Sequence, residues 1–172
     1  MQVMKTQLIK DILVSEPDGR LVTICGWVRT KRDSKNLCFI QVNDGSCFAT
    51  IQLTYDRENA NPNNENIENS LPNVTTGASI KATGKLIPSP ASGQAVEVAL
   101  ETLEVLGVSP SDYPLQKKGH TVEFLRENSH LRARTNMFGA VARMRSQMAF
   151  AVHSFFQEKG FFYFIYKNYM LL

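Results

Sequence analysis

The side chains best suited to chemistry gather in one stretch, Gly26 to Leu53, which reads GWVRTKRDSKNLCFIQVNDGSCFATIQL. Arg29, Lys31, Arg32 and Lys35 crowd cationic groups around a single carboxylate, Asp33. Phe39 follows in a β-rich run, and the amide Gln52 lies in the next such run. Cations attract a phosphate backbone whatever its sequence, an aromatic plane stacks a base, and a primary amide offers a base edge both a donor and an acceptor. Together they meet the needs of single-stranded nucleic-acid recognition, with binding that weakens steeply as salt rises. Each residue also has a plainer reading. The basic cluster fits a solvated loop, and a lone strand phenylalanine fits a core.

No comparable set exists elsewhere. His120, His130 and His153 have neither H-x-x-x-H nor H-E-x-x-H spacing, so no metal site is expected. There is no G-x-S-x-G elbow, and Gly77-Ala78-Ser79-Ile80-Lys81 lacks the spacing of a phosphate-binding loop. No catalytic residue and no cofactor are therefore assigned to this chain. Cys25, Cys38 and Cys47 are too far apart for a C-x-x-C pair, and their odd number suits reduced core thiols. The residues after Met1 form no signal-peptide core, and no run of about 18 apolar residues could span a bilayer. The expectation is a cytoplasmic protein without a membrane partner, in which the sequon at Asn73 is fortuitous.

The elements that must position the Gly26–Leu53 residues follow from periodicity. Leu8, Ile9, Ile12 and Leu13 have helical spacing within Thr6 to Val14, and Pro17-Asp18-Gly19 ends that segment. From Arg20 the period becomes two, with apolar residues on both faces through Val28. Leu37 to Val42 and Cys47 to Leu53 form two further strands around Asp44-Gly45, a hairpin signal. Tyr55 to Val74 is rich in asparagine and predicts a surface insertion, partly helical or disordered. Strand character returns at Ser79 to Ile87 and at Ala95 to Leu106. Five short strands, with the longest interruption after the third, predict an all-β OB-fold, a five-stranded Greek-key barrel.

Residues 109–134 predict a hinge, because Pro110 and Pro114 forbid a central strand or helix. Thr121 can cap a short helix to Asn128, and Thr135 a long one from Asn136 to Lys159, ended by Gly160. About 24 residues make a rod about 36 Å long. Phe138, Val141, Ala142, Met148, Val152, Phe155 and Phe156 place an apolar stripe along it that calls for a partner. The last twelve residues, FFYFIYKNYMLL, hold six of the sixteen aromatics without caps or alternation. Overall 43% hydrophobic and 20% charged residues suit a globular chain, but charge is divided unevenly. Residues 1–115 hold 10 Lys+Arg against 13 Asp+Glu, whereas residues 116–172 hold 9 against 3.

The Gly26–Leu53 stretch resembles the anticodon-binding barrel of the class IIb aminoacyl-tRNA synthetases. The stretch YPLQKKGHTVEFLRENSHLRARTNMFGAVARMR, Tyr113 to Arg145, is similar to the hinge and the start of the catalytic domain of asparaginyl-tRNA synthetases. The resemblance covers residues 5–162 or so, and implies an anticodon-binding domain over 1–108, a hinge over 109–134, and the start of a class II catalytic domain over 135–172. It implies that Phe39 stacks on the middle anticodon uridine of tRNA-Asn, that Gln52 bonds an anticodon base, and that Arg32, with Arg29 and Lys31 beside it, contacts the loop. It also implies that Phe138, Val141, Met148, Val152 and Phe155 belong to a homodimer interface, in which this chain can pair with itself or with a full-length synthetase.

The family reaction uses ATP and Mg to attach asparagine to tRNA. The motif 1 proline and the motif 2 and 3 residues that would perform it have no match here. A truncated or frameshifted gene is therefore expected, with a product that binds tRNA and does not charge it. Two other readings stay open at this level: a general single-stranded nucleic-acid-binding module, and a dimer-interface partner subunit.

Overall fold

The computed structural model describes residues 6–59, 61–91 and 93–164. Its elements run α1 (Ile9–Ile12), β1 (Leu21–Asp33), β2 (Leu37–Asn43), β3 (Ile51–Asp56), α2 (Asn64–Ser70), β4 (Ser79–Pro88) and β5 (Val96–Gly107). After these come α3 (Val122–Glu127) and α4 (Asn136–Glu158). Two compact units form, one ending at His120 and the other beginning at Thr121.

In the first unit the five strands close into a barrel in the order β1-β2-β3-β5-β4. Closure depends on the length of β1, whose residues 21–27 pair with β4 while residues 27–33 pair with β2. Trp27 is the changeover, opposite both Ser79 and Asn43. Next to it, a Cβ on Gly26 would come within 2.7 Å of Val42 Cγ1 and 2.9 Å of the Asn43 carbonyl oxygen, so only glycine lets the strands approach here. A short parallel contact between β3 and β5, Leu53 to Val98 and Thr54 to Ala99, closes the other side.

The interior is filled by one side of each strand. Val22, Ile24 and Val28 from β1, Ile40 and Val42 from β2, Ile51 and Leu53 from β3, Ile80 and Leu86 from β4, and Val96 and Val98 from β5 are all buried. Each contributes about 1.5–3 kcal/mol. Cys38 joins them, and burial, reinforced by the Asp33 charge, pushes its thiol up to about 11. It is a core thiol with little thiolate at neutral pH, whereas Cys25 and Cys47 are only partly buried.

The Asn-rich segment is more structural than its composition suggests. Ile67, Leu71 and Val74 have helical spacing and are buried in the barrel core through α2 and the 3₁₀ turn Leu71–Asn73. That burial outweighs the partly exposed Arg57–Glu68 ion pair, since exposed pairs give about 0–1 kcal/mol. The chain after β5 also stays with the barrel: Thr75 Oγ1 donates to the Ser109 carbonyl at 3.3 Å, and Leu115 is buried. Tyr113 lies so close to Gly77, at φ +91°, that a side chain there would collide with its ring.

Two sequence expectations change in detail. The β2–β3 connection is a seven-residue loop, not a tight hairpin, because β3 begins at Ile51 and Asn43 Nδ2 donates to the carbonyls of Cys47 and Ala49. The N-terminal helix is a single turn, capped from that same loop: Ile9 N donates to Asp44 Oδ2 at 2.8 Å, and Lys10 N to Ser46 Oγ at 3.1 Å.

In the second unit Thr121 Oγ1 accepts from Phe124 N, as an N-cap should. Thr135 starts α4 by its extended backbone alone, since its hydroxyl donates to the Arg132 carbonyl instead. Gly160 follows the C-cap Lys159 at φ +82°. Phe161 then packs edge-on to Phe156 with centroids 5.6 Å apart, and Tyr163 packs against His153 at 4.5 Å. Residues 165–172, with two of that run's six aromatics, lie outside the described residues.

The Asp44 cap makes a prediction about acid stability. Burial opposes ionisation of Asp44, but hydrogen bonds from the Ser46 hydroxyl and the Ile9 and Ser46 amides prevail and hold its pKa below the ordinary 3.8. A carboxyl depressed on folding stabilises the protein above its unfolded value and loses that contribution as pH falls through the folded one. Asp44→Ala should cost about 1 kcal/mol in urea unfolding at pH 7. The gap to the parent protein should narrow below pH 3.8.

Candidate nucleic-acid interface

The outer side of β1, β2 and β3 is built by alternation. In β2, Cys38, Ile40 and Val42 point inward, which turns Phe39 and Gln41 outward, both partly exposed. In β3, the inward Ile51, Leu53 and Tyr55 leave Gln52 and Thr54 on the outer side. β1 needs one extra device. Its even-numbered residues Val22, Ile24 and Val28 face the core, yet Thr30 and Arg32 pair with the outward Gln41 and Phe39. A bulge between Val28 and Thr30, at Arg29, makes that switch.

Two cross-strand rows result. The first is Arg32–Phe39–Thr54, with the Arg32 guanidinium carbon 6.0 Å from the centre of the Phe39 ring. The second is Thr30–Gln41–Gln52, which continues through a hydrogen bond to Glu97 on β5. Phe39 is therefore not the core side chain its setting allowed.

The structure brings only some of the sequence candidates together. Lys31 pairs with the inward-facing Ile40, and its Nζ donates to the Leu71 carbonyl at 2.7 Å. Its charge is used to hold the turn after α2. Arg29 occupies the bulge, and Arg32 alone among the three is placed beside the Phe39 ring. Gln52 is only 8% exposed. Its Nε2 donates to Glu97 Oε2 at 3.1 Å, and because a carboxylate only accepts, that bond fixes which way the amide lies.

Glu97, 5% exposed, is the site residue that the sequence reading missed. The same Oε2 accepts from Ser89 Oγ at 3.2 Å and from Gln94 Nε2 at 3.4 Å, so the β4–β5 loop is tied to the second row. Its signal was a lone charge inside the apolar run Val96-Glu97-Val98-Ala99-Leu100.

Arg57 braces the basic end of β1. Its side chain bonds Glu68 at 2.6 Å, Asp33 at 2.9 Å and the Ser34 carbonyl at 2.6 Å. Glu68 and then Asp33 push its pKa further up, so it stays charged at any working pH. In the second unit Val141, Met148, Val152 and Phe155 are exposed, and Phe138 carries the Arg132 guanidinium 5.1 Å from its ring. Among the described residues no group of three or more His, Cys, Asp or Glu could hold a metal ion, and no helix is long and apolar enough to cross a membrane.

The OB-fold nucleic acid binding domain family matches residues 22–106, the five strands and their connections. An asparagine–tRNA ligase of Treponema denticola is 58% identical over 91% of this chain, and one of Cytophaga hutchinsonii 51% identical over 93%. The chain is homologous to the N-terminal third of asparagine–tRNA ligases. It spans 33% of the Treponema ligase and 34% of the Cytophaga ligase. Among solved structures, the asparaginyl-tRNA synthetase of Pyrococcus horikoshii superposes with a TM-score of 0.79 over 96% of this chain and 38% of its own, at 19% identity. The aspartyl-tRNA synthetase of Entamoeba histolytica gives 0.78 over 98% and 40%, at 16% identity. At such identities these two likenesses concern the fold, here an OB barrel with a helix after it.

Lys31 and Arg32 can be told apart experimentally. Lys31→Ala leaves the Leu71 carbonyl without its charged donor and should cost about 1 kcal/mol of stability by denaturant titration. The exposed Arg32→Ala should stay within about 0.5 kcal/mol of the parent.

Proposed function

We propose that this chain is the anticodon-recognising region of an asparagine–tRNA ligase and binds the anticodon loop of tRNA-Asn on the outer side of β1, β2 and β3. The middle anticodon base stacks on Phe39, Arg32 neutralises a neighbouring phosphate, and Gln52 bonds a base edge with the capacity that Glu97 leaves it. Arg29 adds to the positive field along β1. The observation that carries this reading is the Arg32–Phe39 pair, an aromatic ring and a cation presented together on the outer side of a nucleic-acid-binding fold. The ligase reaction is a property of the whole relatives, of which this chain spans about a third. No residue here is proposed to hold ATP, magnesium or asparagine, so these residues recognise tRNA and do not charge it. The setting is the cytoplasm.

Base–aromatic stacking is worth about 1–3 kcal/mol per base. Phe39→Ala should weaken binding of a tRNA-Asn anticodon stem-loop by that amount in fluorescence anisotropy, and changing the middle anticodon base should weaken the parent chain as well. Unaltered affinity in the variant removes the stacking role. A parent chain indifferent to the base is instead a general single-strand binder.

The exposed apolar residues of α4 favour a second role beside the first. Val141, Met148, Val152 and Phe155 share a helix on which no described residue is buried. We propose that this helix pairs with a second copy or with a full-length ligase. Light scattering should give a dimer mass for the parent chain that Val152→Glu with Phe155→Glu reduces to a monomer. A parent chain monomeric at all concentrations, and unable to bind the full-length ligase, removes the role.

A further inference from the structure

The stacking and base-edge roles leave Gln41, an outward residue in the middle of β2, unused. Gln41 follows Phe39 by two positions, so it lies on the same side of the strand about 7 Å further along. Its direct neighbour across the β2–β3 ladder is Gln52, and across the β1–β2 ladder it is Thr30. Two primary amides thus stand side by side next to the aromatic ring, and their hydrogen bonds divide their capacity differently.

Gln52 gives an N–H to the Glu97 carboxylate. Gln41 does the reverse: its Oε1 accepts from Thr30 Oγ1 at 3.1 Å, which turns the Nε2 end away from β1. Of the two amides, Gln41 is the one with both N–H donors left to give, whereas Gln52 has spent one on Glu97 and keeps its carbonyl to accept. Glu97 adds only acceptor oxygens to this row.

We propose that Gln41 is a second base-reading residue, donating from its amide nitrogen to a nucleobase carbonyl, O4 of uracil or O6 of guanine, in RNA laid over β2 and β3. Thr30 is its positioning residue, holding the amide so that donors face the ligand. A base with an amino group in place of that carbonyl brings donor against donor and is rejected. The proposal rests on the anticodon-loop reading and adds a carbonyl-against-amino choice that stacking on Phe39 cannot make, because every base has a π-face.

The test uses the full 172-residue chain. Its probes are a tRNA-Asn anticodon stem-loop and versions in which each anticodon base in turn is exchanged, uracil for cytosine or guanine for adenine. Each exchange replaces a carbonyl by an amino group. Gln41→Ala should weaken binding of the parent loop about fivefold to tenfold. It should also abolish the preference for the carbonyl base at one position, with a melting curve like the parent's, since Gln41 lies on the outer side. Gln41→Glu, which replaces the donor by acceptors, should shift the preference at that position toward the amino base. Thr30→Val, which keeps Gln41 but removes its orienting hydrogen bond, should reduce the same preference in part.

The proposal is overturned if Gln41→Ala keeps parental affinity and discrimination at every position while Phe39→Ala still weakens binding; Gln41 is then an outer-face residue bonded to Thr30 and nothing more. If the parent chain binds none of the loops, the anticodon reading itself fails and this proposal falls with it.

Discussion

The interior of a five-stranded barrel is too narrow to hold anything but side chains, so half the residues of every strand are committed to filling it. Recognition has to be built from the other half. This is why the Arg32–Phe39 and Gln41–Gln52 rows exist at all: they are what remains outward once Cys38, Ile40, Val42, Ile51 and Leu53 have gone in. The rows inherit the rigidity of the ladders beneath them, which lets an exposed aromatic and two amides keep fixed spacings without packing of their own.

Hydrogen-bonded and ion-paired side chains hold the margins of this surface. Arg57 joins the end of β1, the β1–β2 turn and α2 through Asp33, Ser34 and Glu68. Glu97 joins β3 to the β4–β5 loop through Gln52, Ser89 and Gln94. Lys31 joins β1 to the turn after α2. The Asn-rich segment, which looked like a surface insertion, therefore shares in the architecture of the basic strand end. Its three buried apolar residues anchor it, Asn61 Nδ2 reaches across to the Glu101 carbonyl on β5, and Asn64 Nδ2 bonds locally to the Asn59 carbonyl.

Much of this was legible in the sequence, for physical reasons. Alternation in Leu37 to Val42 and Ser79 to Ile87 states the strands directly, and the barrel follows from their number and spacing. Phe39 and Gln52 were legible only as candidates by residue type, and it is the burial of Cys38, Ile40, Ile51 and Leu53 beside them that places both on the outer side. What alternation could not disclose was which cation accompanies the ring. Extending the period from Val22, Ile24 and Val28 puts Lys31 outward and Arg32 inward, the opposite of what the structure shows. Glu97 stood out as a lone charge in its apolar run, but its role did not, since Gln52 becomes its neighbour only when β3 and β5 meet. Ile67, Leu71 and Val74 had the right spacing, but the polar residues between them masked it.

The bulge at Arg29 acts as a phase shifter. Upstream of it, even-numbered positions of β1 belong to the core; downstream, they belong to the surface. The strand is thus two messages written in different frames and joined at one residue. Replacing the arginine side chain alters one charge, whereas losing or gaining a residue there would exchange the inside and outside of everything from Thr30 to Asp33. It would drive the Arg32 guanidinium toward the core and lift the Lys31 ammonium off Leu71. Among homologues, the length of this segment therefore carries more information about the recognition surface than the identity of any single residue within it.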